Sequence, residues 1–147
     1  MKILLSLFLA TSLLSPGSSW LTDFKEAKTE AAASHKNILL NFSGSDWCGP
    51  CIRLHKEVFE SAAFDQYAKE NLILVNADFP RLRKNQLPAE LSKQNDVLAD
   101  KYNKEGKFPY TILLDADGKI LKTWEGYSGV SSEKFVTELN SVIHVTP

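Results

Sequence analysis

Cysteine is scarce: the 147 residues contain two. That is too few for a disulfide-stapled miniprotein and enough for one disulfide or one switching dithiol. Net charge is almost absent. Lys and Arg total 17 against 18 Asp and Glu, a formal charge of -1, so no broad basic field exists to attract nucleic acid. A chain with 44% hydrophobic and 24% charged residues is not composed like a disordered one. Internal repeats and low-complexity segments are missing, and the length fits one domain. Past the N terminus no apolar run approaches the roughly 18 residues of a membrane span.

What is present begins with Met1-Lys2 and the run Ile3 to Leu14, in which nine of twelve residues are apolar. Small residues around Pro16 follow, from Ser15 to Ser19. This is the layout of a secretory signal: a positive start, an apolar stretch and a small-residue cleavage site. The stretch is shorter than the roughly 20 residues needed to cross a bilayer; an uncleaved anchor is the alternative. No cysteine lies near its end, which excludes a lipid-modified N-terminal cysteine. The expectation is a signal peptide over residues 1–19, cut after Ser19, and an exported domain over 20–147. Its compartment would be periplasmic or otherwise extracytoplasmic, soluble, and able to keep disulfides.

Periodicity then predicts the elements. Leu21, Phe24, Ala27 and Ala31 lie at helical spacing, predicting a helix over Thr22 to Ser34. Asn37 to Phe42 and Leu72 to Val75 are short apolar runs that predict buried strands. Between them, Cys48 to about Glu60 and Ala62 to Glu70 predict helices, the second capped by Ser61. Leu87 to Lys104 predicts a helix with Leu91, Val97, Leu98 and Tyr102 inward, ended by Gly106. Thr111 to Leu114 and Lys119 to Trp124 flank Asp115-Ala-Asp-Gly118 as a hairpin. A last helix opens at Ser131-Ser132-Glu133 with Phe135, Leu139, Val142 and Ile143 as its stripe. The order is α-β-α-α-β-α-β-β-α, an α/β chain. It implies a central mixed sheet flanked by helices.

The chemistry lies in Trp47-Cys48-Gly49-Pro50-Cys51. A pair two residues apart can close a disulfide across one helical turn. Here it falls where a strand and turn give way to a helix. Unpaired N–H groups and the positive dipole end at a helix start favour thiolate, the nucleophilic form. Cys48 is therefore the expected attacking sulfur, and Cys51, one turn inside, the resolving one. Gly49 would let the chain turn tightly. Pro50 lacks an N–H, which costs little in the first turn. Trp47 would shield one side of the pair. Two other readings stand beside this one. A purely structural disulfide is disfavoured because so small a loop constrains the unfolded chain little. A metal site with His55, four residues after Cys51, lacks an obvious fourth ligand for zinc. A haem attachment would need His where Ile52 stands.

The segment Asn41-Phe-Ser-Gly-Ser-Asp-Trp-Cys-Gly-Pro-Cys51 resembles the active-site region of the thioredoxin-like superfamily. With Asp78-Phe-Pro-Arg81 the likeness narrows to exported bacterial thioredoxin-like proteins, and the order of elements extends it over nearly all of 20–147. The resemblance implies a cis peptide at Pro109 facing the dithiol, with the Phe108 backbone available to pair with an extended substrate segment. It places Gly126 in the loop beside the dithiol, flanked by Trp124 and Tyr127, for which core, rim and substrate roles are all open. Three departures stand out. Asn41 holds the place of the family's buried acid, Leu74 that of a lysine, and Tyr110 that of a threonine. Asn41 cannot take a proton from Cys51 as a carboxylate can; water or Asp46 would have to serve. Arg81-Leu-Arg-Lys84 reads as a solvated basic run.

These features imply an exported thiol-disulfide oxidoreductase that reduces protein disulfides through Cys48 and Cys51 and needs no bound cofactor. Its partners would be disulfide-containing proteins and a dithiol electron donor, such as a membrane electron-transfer protein, with no nucleic acid. The rivals are a disulfide oxidase or isomerase, and a non-enzymatic module that handles metal through the dithiol.

Overall fold

The computed structural model describes residues 18–144; the expected signal run Ile3 to Leu14 lies outside them. The elements are β1 (Trp20–Leu21), α1 (Phe24–Ser34), β2 (Asn37–Ser43), α2 (Gly49–Leu54), α3 (Ala62–Asn71), β3 (Leu72–Asp78), α4 (Ala89–Tyr102), β4 (Tyr110–Leu114), β5 (Ile120–Glu125) and α5 (Ser132–Ile143). The described strands form one sheet in the order β1-β3-β2-β4-β5. β3 runs parallel to β1 and β2, while β4 and β5 close it antiparallel. The expected mixed sheet with helices on both faces is therefore present.

Alternation along β2 explains the layers. Successive side chains of a strand point to opposite faces. Ile38, Leu40 and Phe42 join one core cluster with Ala27 and Ala31 of α1 and Leu98 and Tyr102 of α4. Leu39 joins the other, with Leu54, Phe64, Phe135 and Leu139 from the opposite helices. β2 is covered on both sides, which is why its sequence reads as a nearly continuous apolar run.

Local caps set the helix ends. Asp23 accepts from the Lys25 and Glu26 amides at 2.8 and 3.0 Å, so α1 starts at Phe24, two residues after the expected Thr22. Ser61 accepts from Phe64 N–H, as its position at the head of α3 predicts. The helix expected from Cys48 to Glu60 is regular only to Leu54. It widens over His55–Phe59 into a π-helical turn, where Glu60 N–H reaches back to His55 O at 2.9 Å.

α4 corrects two expectations. Val97 faces outward, 59% exposed, beside an open groove shared with Phe24 of α1. The inward stripe is instead Asn95, Leu98 and Tyr102. The helix also ends before Gly106. Buried Asn103 closes the turn by bonding both the N–H and the C=O of Lys107 at 2.9 Å, and Gly106 follows with φ 64°. β1 was not expected at all. It is two residues long, too short for any periodicity, and exists because β3 offers it an edge.

Candidate active site

The site is built at the end of β2. Gly44 O accepts from Trp47 and Cys48 N–H, folding the chain back sharply. Gly44 is buried, and a Cβ there would run into the Trp47 indole. The turn thus depends on Gly44. Gly49, credited with it from sequence, has no left-handed φ and open space above its Cα. It is the first residue of α2, and its missing side chain leaves the approach to Cys48 clear.

Cys48 is the N-cap of α2, and its Sγ accepts from Cys51 N–H at 3.3 Å. An N–H directed at that sulfur favours its thiolate once the pair is reduced. Cys48 and Cys51 form a disulfide with Cα atoms 5.2 Å apart. Both are nearly buried, 5% and 3% exposed. Gly49 and Pro50 are exposed beside Cys48, while Cys51 lies within the helix.

Trp47 is fixed from three sides. Its Nε1 donates to Phe79 O at 2.7 Å, the Phe108 ring meets it edge-on at 5.4 Å, and the Arg81 guanidinium lies 3.6 Å from its ring centre. The Phe108–Pro109 peptide is cis, as the resemblance implied. Pro109 O accepts from Gly126 N–H at 2.9 Å, and Gly126 sits at φ 68°. Trp47, the Phe108–Pro109 pair and Gly126, far apart in sequence, are therefore connected, with Trp47 directly before Cys48.

Residues 24–143 match the thioredoxin-like domain family. The chain belongs to that family. A disulfide bond reductase, DsbH, of Chlamydia pneumoniae is 33% identical over 120 residues, covering 82% of this chain and 70% of that protein. A thioredoxin-related protein of the same organism, DsbJ, is 31% identical over 123 residues, or 78% of this chain but 34% of DsbJ. A solved DsbH oxidoreductase structure superposes with a TM-score of 0.80 at 30% identity, covering 95% of this chain and 94% of that one. This thioredoxin-like protein is a thiol-disulfide oxidoreductase, with Cys48 and Cys51 as its Cys-x-x-Cys pair.

Several thioredoxin-like features take a different form here. Asn41 is buried, donating to Asn76 at 3.2 Å and accepting from Thr111 Oγ1 at 2.9 Å. Leu74 is core. Tyr110 stacks on Phe42 at 6.3 Å. Trp124 packs on Phe135 and donates to Glu138 at 2.8 Å, which makes it a sheet–helix contact. Tyr127 is a rim residue: its hydroxyl bonds Glu57 at 2.6 Å. Burial, then that carboxylate, pushes the phenol pKa up, and the bond pulls Glu57 down. His55 pairs with Glu60 at 3.3 Å. Among the described residues no cluster of three or more His, Cys, Asp or Glu side chains could hold a metal.

Asp46, offered above as a proton acceptor, and Arg81, read as part of a solvated run, both have defined structural work. Asp46 is no proton relay. It accepts from the amides of Arg81 and Leu82 at 2.9 Å and from the Asn85 side chain at 3.0 Å. It thereby holds the loop after β3, and with it Arg81 above Trp47. Nothing in the sequence joins Asp46 to a loop 35 residues away, although an Asp in a turn before exposed amides is a cap-like signal. The Arg81 amide, foremost, holds the Asp46 pKa below its ordinary 3.8. A depressed carboxylate stabilises above its unfolded value and loses that contribution as pH falls through its folded value. The loop anchor is therefore complete at neutral pH and fails only in acid below about 3.8. In Asp46→Asn, hydrogen exchange at the Arg81 and Leu82 amides at neutral pH should rise severalfold. Unchanged exchange would show that the loop is held otherwise.

Proposed function

We propose that this oxidoreductase is exported and reduces protein disulfides, with Cys48 as nucleophile and Cys51 as resolving thiol. The observation that carries the assignment is the Cys48 Sγ at the helix cap, accepting the Cys51 N–H. The Gly49-Pro50 spacer of reducing thioredoxins and the reductase named among the relatives support the direction. Residues 1–19 supply the export signal.

Cys48 thiolate attacks one sulfur of the substrate disulfide. That S–S bond breaks, and the first substrate thiolate leaves and takes a proton from solvent. Cys51 thiolate then attacks Cys48, the mixed disulfide breaks, and the second substrate sulfur leaves with the electron pair. Two electrons have passed to the substrate and Cys48–Cys51 is oxidised. No bound cofactor is needed; a partner dithiol restores the reduced pair, and a membrane electron-transfer protein would suit an exported chain. Trp47, Gly49 and Pro50 shape the approach to Cys48. The Phe108 backbone before cis-Pro109, with Gly126 beside it, offers an edge on which an extended substrate segment pairs as an added strand.

The reduction potential of the Cys48–Cys51 couple tests the direction. A reductase is expected at about -270 mV. A value of about -120 mV would place the protein among oxidases and overturn the assignment.

A further inference from the structure

The resolving step needs a thiolate at Cys51, yet the central strand offers no carboxylate to take its proton. Asn41 stands there, engaged by Asn76 and Thr111, and an amide does not ionise. Cys51 is nearly buried, but it forms part of the wall of a cavity of about 330 Å³. Ser43, Ser45, Asn76, His55 and Glu60 supply the polar wall. That volume has room for several waters within reach of these polar groups, and Ile52 lines it as well.

His55 is the imidazole in the wall of this cavity, and a neutral imidazole has one ring nitrogen free to accept a proton. It lies one turn after Cys51, and its amide bonds the Cys51 carbonyl. Residues so spaced share one helix face. His55 Nε2 is 3.3 Å from Glu60 Oε1, an ion-pair distance.

We propose that His55 is the proton acceptor for Cys51, acting through water in this cavity as a positioning residue for the resolving thiol. It takes the thiol proton as Cys51 attacks Cys48 and returns it when the donor dithiol reduces the pair. Glu60 orients the imidazole and stabilises its cation. The other charged group in the cavity wall is Lys56. Trp20 of β1 and Phe59 face His55 with uncharged rings, each at 6.3 Å. Ser43 of β2 and Asn76 of β3 are neutral. Asp78 at the end of β3 is bonded to Ser45, and Arg53 and Glu57 pair with each other. The proposal rests on the reading in which Cys48 attacks and Cys51 resolves.

Stopped-flow measurement separates capture of substrate by Cys48 from resolution by Cys51. In His55→Gln, resolution at neutral pH should slow about a hundredfold, the low end of what a positioned base contributes. The pH profile of resolution should differ from that of the unsubstituted protein, because the group that takes the Cys51 proton is gone. The loss should fall on resolution rather than on capture, and free imidazole should restore rate to His55→Ala. Glu60→Gln should slow resolution less than His55→Gln, because the proton acceptor remains and only its partner is lost. Wild-type rate and pH profile in His55→Gln, with no imidazole rescue, would overturn the proposal. If Cys51→Ser captures no substrate, the underlying reading fails and takes this one with it.

Discussion

A Cys51→Ser protein accumulates as a mixed disulfide with its substrates and loses turnover by at least ~10³-fold. The loss has the size expected when one member of a covalent catalytic pair is removed. Cys48 keeps the helix-cap position and the Cys51-position N–H that favours its thiolate, so capture continues. Serine cannot attack the mixed disulfide, so the adduct persists. Cys48→Ser should lose turnover as fully and accumulate nothing. The near-equal burial of the two residues does not separate their roles; their settings do. Cys48 lies outside the helix beside exposed Gly49 and Pro50, whereas Cys51 faces the cavity of Asn76 and His55. Non-reducing electrophoresis and mass spectrometry read the result. Adducts on Cys48→Ser rather than Cys51→Ser would reverse the assignment.

Phe64→Ala should cost about 3–5 kcal/mol, the range for emptying an aromatic site in a core. Phe64 is fully buried. Its ring lies 5.0 Å from Phe59, 6.1 Å from Phe135 and 6.5 Å from Trp20. These rings come from the π-helical turn after α2, from α5 and from β1, so one deletion loosens the packing behind the dithiol helix from several sides. Against a total stability of roughly 5–15 kcal/mol the loss is large. The midpoint of thermal unfolding should fall on the order of 10 °C. Val97→Ala, at an exposed apolar site, should stay within about 0.5 kcal/mol. Equal midpoints for the two variants would show that the aromatic cluster does not hold this layer.

Most elements were legible because burial leaves a periodic trace. The apolar run of β2, the hairpin of β4 and β5 and the stripe Phe135–Leu139 of α5 all repeat at the spacing of their element. The pair Cys48–Cys51 was legible because its chemistry lies within one helical turn. β1 left no trace, since two residues carry no period. Val97 was misread because an apolar residue on a helix does not say which side is covered. Gly49 took the credit due to Gly44, because the sequence does not show which glycine lies under the Trp47 ring.

The chain itself determined the dithiol, its place at a strand-to-helix turn, the proline that becomes cis-Pro109 and the α/β order, because each is a matter of neighbours along the backbone. Only the tertiary structure decided what surrounds the dithiol. Asn41 meets Asn76 and Thr111 because parallel and antiparallel registers place them side by side. Arg81 covers Trp47 because Asp46 anchors a loop 35 residues away. Cys51 shares its cavity with His55 and Asn76 because α2 packs against the strand ends. These groups depend on the register of strands and the seating of helices, and a sheet register follows from the summed burial of all its strands. No short stretch of sequence carries that sum.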